Sequence, residues 1–199
     1  MRSSPFHALI TVAGFLALLV PSAAGEEQAK RIPEAALPAG FAEPAAIDTI
    51  VRKTIPAHRA VEGPNFWTCF QHIKKHDIPM TAPVVMPDAA VGAKGRGTMR
   101  FLFPDTETGQ PGPDGQAEVI DVPEQDVIAI SLRGKPGADR LTKLEERLRA
   151  HAAEHAITLA DLPPQLLGYN SPMVPRMMQL WELQMVIADT APAATDTAE

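Results

Sequence analysis

Cysteine is nearly missing from this sequence, since Cys69 is the only one among 199 residues. A single cysteine cannot form an internal disulfide, so the fold must be stabilised by a hydrophobic core. Cys69 lies on the apolar face of a predicted helix, which favours a buried and unreactive thiol. Its position far from the N-terminus excludes a lipid anchor at a signal cleavage site.

A long hydrophobic run is also lacking. The apolar stretch at residues 8–20 is too short for a comfortable transmembrane span. It follows the positive Arg2 and precedes the small residues 21–25, which is the pattern of a secretory signal peptide. We predict a cleaved signal peptide at residues 1–25, a secreted or periplasmic protein, and no integral membrane segment after signal removal.

The sequence also lacks an excess of positive charge, because it contains 18 Lys and Arg residues but 24 Asp and Glu residues. A formal net charge of −6 gives no electrostatic reason to expect nucleic acid as a partner. Gly-x-Ser-x-Gly, His-Glu-x-x-His and phosphate-loop motifs are absent. A Cys69–His72 dyad is disfavoured because Cys69 belongs to the apolar face. We therefore expect a binding protein rather than an enzyme.

Composition divides the chain into four parts. Residues 26–46 are rich in Ala, Pro and Glu with little apolar periodicity, which predicts a flexible tether. Residues 189–199 predict a disordered tail. Residues 47–188 remain, enough for one domain with its own core.

The clearest local pattern is a helix followed by a strand. Asn65 is a good N-cap for a helix at residues 65–76. Pro79 and Pro83 prevent further helix, and alternation predicts a strand at residues 80–86. The apolar face of the helix carries Phe66, Cys69, Phe70 and Ile73, at helical spacing.

The domain is predicted to contain two similar halves. The first has a strand at 47–62 broken at Pro56, the helix at 65–76, and strands at 80–86 and 98–103. The second has a strand at 117–132 broken near Pro123, a helix at 139–155, and strands at 165–169 and 177–187. Each half reads strand–helix–strand–strand, which indicates an α+β duplication with a period of about 70 residues. Residues 87–97 and 104–116 predict loops.

Two histidines stand four apart on the first helix, so both could face one metal ion. No third ligand is evident nearby in the sequence. His72 shares the polar face with Thr68 and Lys75 and is expected to be exposed. His76 borders the apolar face and is the better ligand candidate, although a role at the C-terminal end of the helix dipole is the simpler alternative.

Two segments resemble the SOUL haem-binding-protein family. The first is Ile-Pro-Met-Thr-Ala-Pro-Val-Val-Met at residues 78–86, after the aromatic helix. The second is Gly-Tyr-Asn-Ser-Pro at 168–172, followed by Trp-Glu-Leu at 181–183. The resemblance covers about residues 47–188. It implies two strand–helix–strand–strand units that form a curved antiparallel, barrel-like sheet with two helices packed outside.

The resemblance also implies haem or another tetrapyrrole as ligand, in an apolar cleft beside the first helix. Some family members have a histidine in the first strand that has been proposed as an axial ligand, but Lys53 stands there in this chain. His76 is then the best candidate for a metal ligand, with Lys74 or Lys75 for the propionates. The matching apolar positions are Phe66, Phe70, Ile73 and Met80, whose alternative role is ordinary core packing.

Two other functions stay open. The predicted fold resembles gyrase-inhibitor-like effector-binding domains, which hold amphipathic cations with a pocket glutamate and aromatic side chains. Tyr169 and Glu182 could do so here, although Glu182 could instead be a rim residue bonded to backbone or Arg176. The hypotheses are an exported haem-buffering or haem-transfer protein, a pocket for another hydrophobic or cationic small molecule, and a non-catalytic protein-interaction module.

Overall fold

The computed structural model describes residues 35–89 and 97–188. They form one open, antiparallel sheet of nine strands with two helices. The helices are α1 (Phe66–Lys75) and α2 (Ala138–Glu154). The strands are β1 (Ile50–Ile55), β2 (His58–Gly63), β3 (Val84–Met86), β4 (Met99–Leu102), β5 (Gly112–Asp114), β6 (Ala117–Val122), β7 (Gln125–Arg133), β8 (Gln165–Gly168) and β9 (Leu180–Val186).

The strand order confirms the predicted duplication. The order across the sheet is β1-β7-β9-β8-β3-β4-β2-β6-β5. Strands β1 to β4 of the first half correspond to β6 to β9 of the second. If each strand is replaced by its counterpart in the other half, the order of these eight strands is read in reverse. Every pair of neighbouring strands is then the same as before. The pseudo-twofold axis therefore passes between β3 and β8, and β5 is the one strand outside the repeat.

The two helices end in the same way, which supports the duplication at the level of residues. At the end of α1 the Ile78 N–H donates to the Ile73 carbonyl at 2.8 Å, across Asp77 with a φ of 53°. At the end of α2 the Ile157 N–H donates to Ala152 at 2.8 Å, across Ala156 with the same φ. Both are Schellman-type caps, and a histidine precedes the left-handed residue in each.

The core lies on both faces of the sheet. On one face α1 packs over Val61 of β2 and Phe101 of β4, while α2 packs over β7 and β9. Neighbouring residues of the same strands, Ala60 and Leu102, point to the opposite face because side chains alternate along a strand. Both helices are therefore on one face, as predicted.

The opposite face is covered by residues 35–46, which composition assigned to a flexible tether. Leu37 and Phe41 pack against the apolar cluster on this face. The segment is also held by its backbone, since Ala39 N–H donates to Pro104 O at 2.8 Å and Ala82 N–H donates to Ala36 O at 3.0 Å. These residues are part of the folded unit. Residues 26–34, the predicted signal peptide at 1–25 and the tail at 189–199 lie outside the described residues.

Several element boundaries differ from the sequence prediction. The strand predicted at 80–86 begins only at Val84, because Pro79 and Pro83 cannot donate ladder hydrogen bonds. The strand predicted at 177–187 begins at Leu180. The loop at 104–116 contains the short strand β5, which pairs with β6. No helix within the described residues has the length and apolar character needed to cross a membrane.

Candidate functional site

A cleft opens beside the first turn of α1, between residues 80–84 and 168–172. We call its first part the aromatic lobe, with a volume of about 370 Å³. It is lined by Ala35, Phe66, Phe70, Met80, Thr81, Ala82, Val84, Gly168, Tyr169, Asn170, Ser171 and Pro172.

A second space of about 370 Å³ adjoins the first and is called the cationic lobe. The residues it adds are Met86, Met99, Lys135, Arg176, Gln179 and Trp181. Both lobes share Phe66, Val84, Gly168, Asn170 and Pro172. Because the lobes have these walls in common, they are neighbouring spaces, and we call the two together the elongated cleft. Each volume is in the range of small-molecule sites.

Aromatic rings form the wall of the aromatic lobe. The ring of Phe66 stacks on Phe70 at a centroid distance of 5.7 Å and meets Phe101 at 5.0 Å. Trp67 packs its edge against Phe70 while 66% of its surface stays exposed. The predicted helix therefore places Phe66 and Phe70 along the cleft, while Trp67 lies outside both lobes.

The loop 170–179 is ordered by its own polar side chains. Asn170 Oδ1 accepts the Leu180 N–H at 2.6 Å. The Gln179 amide donates to Val174 O and accepts from Trp181 Nε1. At Gly168 an added Cβ would lie 2.9 Å from the Trp181 ring, so only glycine allows this close approach.

Two cationic residues, Lys135 and Arg176, line the cationic lobe. Backbone bonds join the turn after β7 to the loop 170–179, through Gly134 N–H to Gln179 O at 2.8 Å and Lys135 N–H to Arg176 O at 3.1 Å. Lys135 Nζ lies 5.5 Å from the centroid of the Trp181 ring. In the described part of the chain, neither Lys135 nor Arg176 has a carboxylate within salt-bridge distance. The cationic lobe therefore carries positive charge without an internal counter-ion.

The predicted apolar site residues are mostly together. Phe66, Phe70, Met80 and Tyr169 line the aromatic lobe, and Met80 is half-buried there, ahead of its strand. Ile73 lines neither lobe, because its side chain is 3% exposed and belongs to the core under α1.

The two predicted lysine partners separate. Lys74 Nζ stays near the aromatic lobe, 6.0 Å from the Phe70 ring centroid. Lys75 Nζ instead donates to Asp114 Oδ1 at 2.7 Å, away from the cleft.

Glu182 is neither a rim residue nor a bare pocket carboxylate. Its side chain has no solvent exposure, and Lys53 Nζ donates to Oε1 at 2.6 Å. Ser131 Oγ, the Gln184 amide, the Ala45 N–H and Tyr169 OH complete its shell. Burial and the Glu182 charge raise the pKa of Tyr169 well above its usual value. The position of the family's proposed axial histidine thus holds a lysine that neutralises an internal carboxylate.

The histidines of α1 form a separate cluster. His72 Nδ1 and His76 Nε2 lie 2.8 and 3.0 Å from the same Asp114 Oδ2. His72 was expected to be exposed but is buried, because β5 covers that face of the helix, and burial lowers its pKa. His76 does not line the cleft. Hydrogen bonds from Lys75, His76 and His72 hold the pKa of Asp114 well below its usual value.

Cys69 is buried at the centre of the α1 core, as predicted. Its thiol donates to the carbonyls of Met99 and Val61, and burial raises the pKa of Cys69 to about 12. The thiol therefore remains protonated and does not act as a nucleophile.

Sequence reasoning missed Lys135, Arg176 and Asp114. Each lies in a turn or a very short strand, where no periodic pattern indicates what the backbone brings nearby. The repetition of a His-x-x-x-His pair at the end of both helices is visible in the sequence, and could have drawn attention to the one pair that gains a third ligand.

An open sheet of two repeated units, with an apolar cleft beside the first helix, defines a domain built to present a small-molecule-sized site. The chain belongs to the SOUL heme-binding protein family, whose model matches residues 45–185. The curated protein sequences contain no match to this chain.

One solved structure shares the fold at low identity, and two others are partly similar. The EcmrR–DNA complex in EcmrR-RPo aligns at 13% identity and a TM-score of 0.50, over 70% of this chain and 57% of that one. The EcmrR C-terminal domain aligns at 13% identity and a TM-score of 0.47, over 70% of this chain and 97% of that one. SAV2435 bound to tetraphenylphosphonium aligns at 11% identity and a TM-score of 0.40, over 71% of this chain and 94% of that one.

Proposed function

We propose that this protein is exported and binds haem or a related tetrapyrrole in the elongated cleft, for haem buffering or transfer. The observation that carries the proposal is the polarity of the cleft. One lobe is walled by Phe66, Phe70 and Met80, and the other holds Lys135 and Arg176, which have no carboxylate within salt-bridge distance among the described residues. A flat apolar ligand with carboxylates at one edge matches both lobes together.

Haem supplies an apolar macrocycle, two propionates and an iron that can take axial ligands. The aromatic lobe would hold the macrocycle, and Lys135 and Arg176 would pair with the propionates. These two cations replace Lys75 in the sequence-based expectation, since Lys75 is engaged by Asp114. Lys74, beside Phe70, remains a further cation at the edge of the aromatic lobe.

Burial is the main source of affinity in this proposal. Apolar surface contributes roughly 25 cal/mol per Å², so covering a few hundred Å² gives several kcal/mol before association costs. That corresponds to roughly micromolar affinity. Among the described residues, no histidine lines either lobe. In this proposal the iron takes no histidine ligand, and His76, which lines neither lobe, would not be an axial ligand.

The alternative of a cationic ligand on Glu182 has little support. A pocket carboxylate attracts a cation only if its charge is unpaired, and Lys53 already occupies Glu182. The charge of the cleft is also of the wrong sign, since Lys135 and Arg176 favour an anion.

The test is a haemin titration of the purified chain, followed through the Soret band. We expect a saturable shift at micromolar protein. Replacing Lys135 and Arg176 together by Gln should weaken binding several-fold, about what two partly exposed ion pairs contribute. Lys143→Gln removes one exposed positive charge of α2 outside the cleft, and as the control it should change nothing.

Two results would reject the proposal. One is a Soret shift that does not saturate. The other is equal affinity in the wild type and in Phe70→Ala, which removes an aromatic wall of the cleft. His58→Gln and His76→Gln should leave the affinity unchanged, and a collapse in either would mean axial histidine ligation. A lipophilic cation that binds better than haemin would favour the alternative.

A further inference from the structure

Three potential metal-ligating side chains converge on one point at the C-terminal end of α1. His72 Nδ1 lies 2.8 Å and His76 Nε2 3.0 Å from Asp114 Oδ2. One ligand atom from each of the three residues lies within 4.8 Å of the others. No other group of three such side chains occurs in the described part of the chain. The cluster is separate from the cleft assigned to the tetrapyrrole.

We propose that His72, His76 and Asp114 bind one divalent transition-metal ion, with zinc as the best match. Two imidazoles and one carboxylate form the donor set of open, three-ligand zinc sites. Calcium and magnesium require more oxygen ligands than the one carboxylate here supplies. Imidazole donors favour zinc, copper and nickel.

The two donor spacings to Asp114 are close to those of a metal site, and each ligand atom lies within 4.8 Å of the other two. Zinc takes nitrogen and oxygen ligands at about 2.0–2.2 Å, so tetrahedral donors lie about 3.3 Å apart. The two donor–acceptor distances to Asp114 are 2.8 and 3.0 Å. In the metal-free chain a proton on each ring holds these contacts as hydrogen bonds. Binding would move that proton to the other ring nitrogen or release it.

The surroundings hold the donors in place. His72 is 7% exposed, and its ring stacks on Phe103 at a centroid distance of 6.0 Å. The second oxygen of Asp114 accepts from Lys75 at 2.7 Å, an outer contact of the kind that orients metal-binding carboxylates. Strand β5 is fixed by pairing with β6, where Asp114 faces Ala117.

A fourth coordination position faces open space. A pocket of about 460 Å³ adjoins the cluster and is lined by His72, His76, Ile78, Val119 and residues 109–114. The three protein donors come from one helix and one strand, which leaves the pocket side free of protein ligands. Water or a small anion from solution would complete the coordination.

The internal repeat provides a natural comparison. His151 and His155 occupy the same positions in α2 that His72 and His76 occupy in α1, and their rings lie 4.0 Å apart. There His155 Nδ1 donates to the His151 carbonyl, and no carboxylate of the described residues completes the group. Asp114 comes from β5, the strand outside the repeat. The structure therefore predicts tight binding at only one of two equivalent histidine pairs.

The test is calorimetric titration of the tag-free chain with ZnCl₂. We expect one Zn²⁺ per chain. His76→Gln and Asp114→Asn should each weaken binding by at least about tenfold, since even loss of an outer-shell partner has an effect of that size. Both side chains are partly exposed, so the fold should survive, and circular dichroism verifies it.

Two controls separate this site from other metal binding. The double variant His151→Gln/His155→Gln should keep wild-type zinc affinity, and so should Phe70→Ala in the cleft. The proposal is overturned if His76→Gln binds zinc as tightly as the wild type. It is equally overturned if the α2 double variant loses binding. Replacing Zn²⁺ by Co²⁺ adds a visible spectrum, which must weaken in Asp114→Asn.

Discussion

A single buried carboxylate, Glu182, depends on one lysine for its charge balance. Its side chain is fully buried, while Lys53 is 10% exposed and lies on the neighbouring part of the sheet. Removing one partner of a buried ion pair leaves an uncompensated charge, which is far more costly than removing an exposed pair. The pair is therefore a sensitive point for stability.

We predict that Lys53→Met lowers the free energy of unfolding by about 3–5 kcal/mol. The adjacent variant Arg52→Met removes an exposed pair with Asp126 and should have little effect. Urea unfolding compares the two. Adding Glu182→Gln to Lys53→Met should recover part of the loss, because no charge then remains buried. A small effect of Lys53→Met would show that Glu182 gains solvent in the variant.

A second residue-scale prediction concerns His58. Burial lowers the pKa of His58 from its usual 6.5, and the positive Arg100 acts in the same direction. Below about pH 6.5 the unfolded chain therefore binds a proton that the folded chain does not. Stability from this group is complete above that pH and is lost as the pH falls toward the folded-state pKa.

We expect the urea midpoint to drop between about pH 7.5 and about pH 5.5, and the drop to be smaller in His58→Gln. His72 is shifted in the same direction and should account for part of what remains. The exposed His155→Gln is the matched control. An identical drop in wild type and His58→Gln would contradict the assignment.

At the scale of elements, α1 divides its apolar residues between two tasks. Ile73 and Cys69 fill the core over the sheet, whereas Phe66 and Phe70 stand between that core and the cleft. Residues at i, i+3, i+4 and i+7 all lie on the same side of an α-helix. Helical spacing alone therefore predicted one common face for all four residues.

We predict that the two tasks separate on mutation. Ile73→Ala should lower the free energy of unfolding by about 2–5 kcal/mol, the usual cost of a core truncation. Phe70→Ala, at a half-buried position, should be less destabilising but should reduce haemin affinity roughly tenfold or more. Urea unfolding and haemin titration of both variants are the measurements. Equal stability losses would refute this division.

The segment 35–46 is the second element with a testable role. It covers the sheet face opposite the helices, where Leu37 and Phe41 contact the apolar cluster. A chain beginning at Ile47 should therefore melt at a clearly lower temperature than a chain beginning at Ala35. Phe41→Ala should give a partial loss in the same direction. Identical melting temperatures for the two truncated chains would show that the cover contributes nothing.

The regular elements and the repeat could be predicted because periodic apolar residues and prolines specify them locally. The helix from Phe66 to Lys75 and the break at Pro123 are examples. The cover segment was missed because its proline-rich composition has no period, and its contacts are with distant strands. Likewise, Asp114 and Lys135 reach their sites through long-range strand pairing and loop bonds, which leave no local pattern.

At the scale of the whole molecule, the remaining prediction concerns export. We expect the mature protein to begin between residues 25 and 28. N-terminal sequencing of protein recovered from outside the cytoplasm is the measurement. Retention of Met1 or Arg2 in that material would refute cleavage. An equal distribution between cytoplasm and exterior would refute export itself.

The pseudo-twofold strand order has a consequence for assembly. Strand β1 has no neighbour within its own half and pairs only with β7, and its counterpart β6 pairs with β2 of the first half. The first strand of each half therefore pairs with a strand of the other half. In a chain that contained only one half, this first strand would stay unpaired until it paired with a second copy of that chain. The arrangement within this single chain is therefore that of a strand-swapped dimer whose two protomers have been joined end to end.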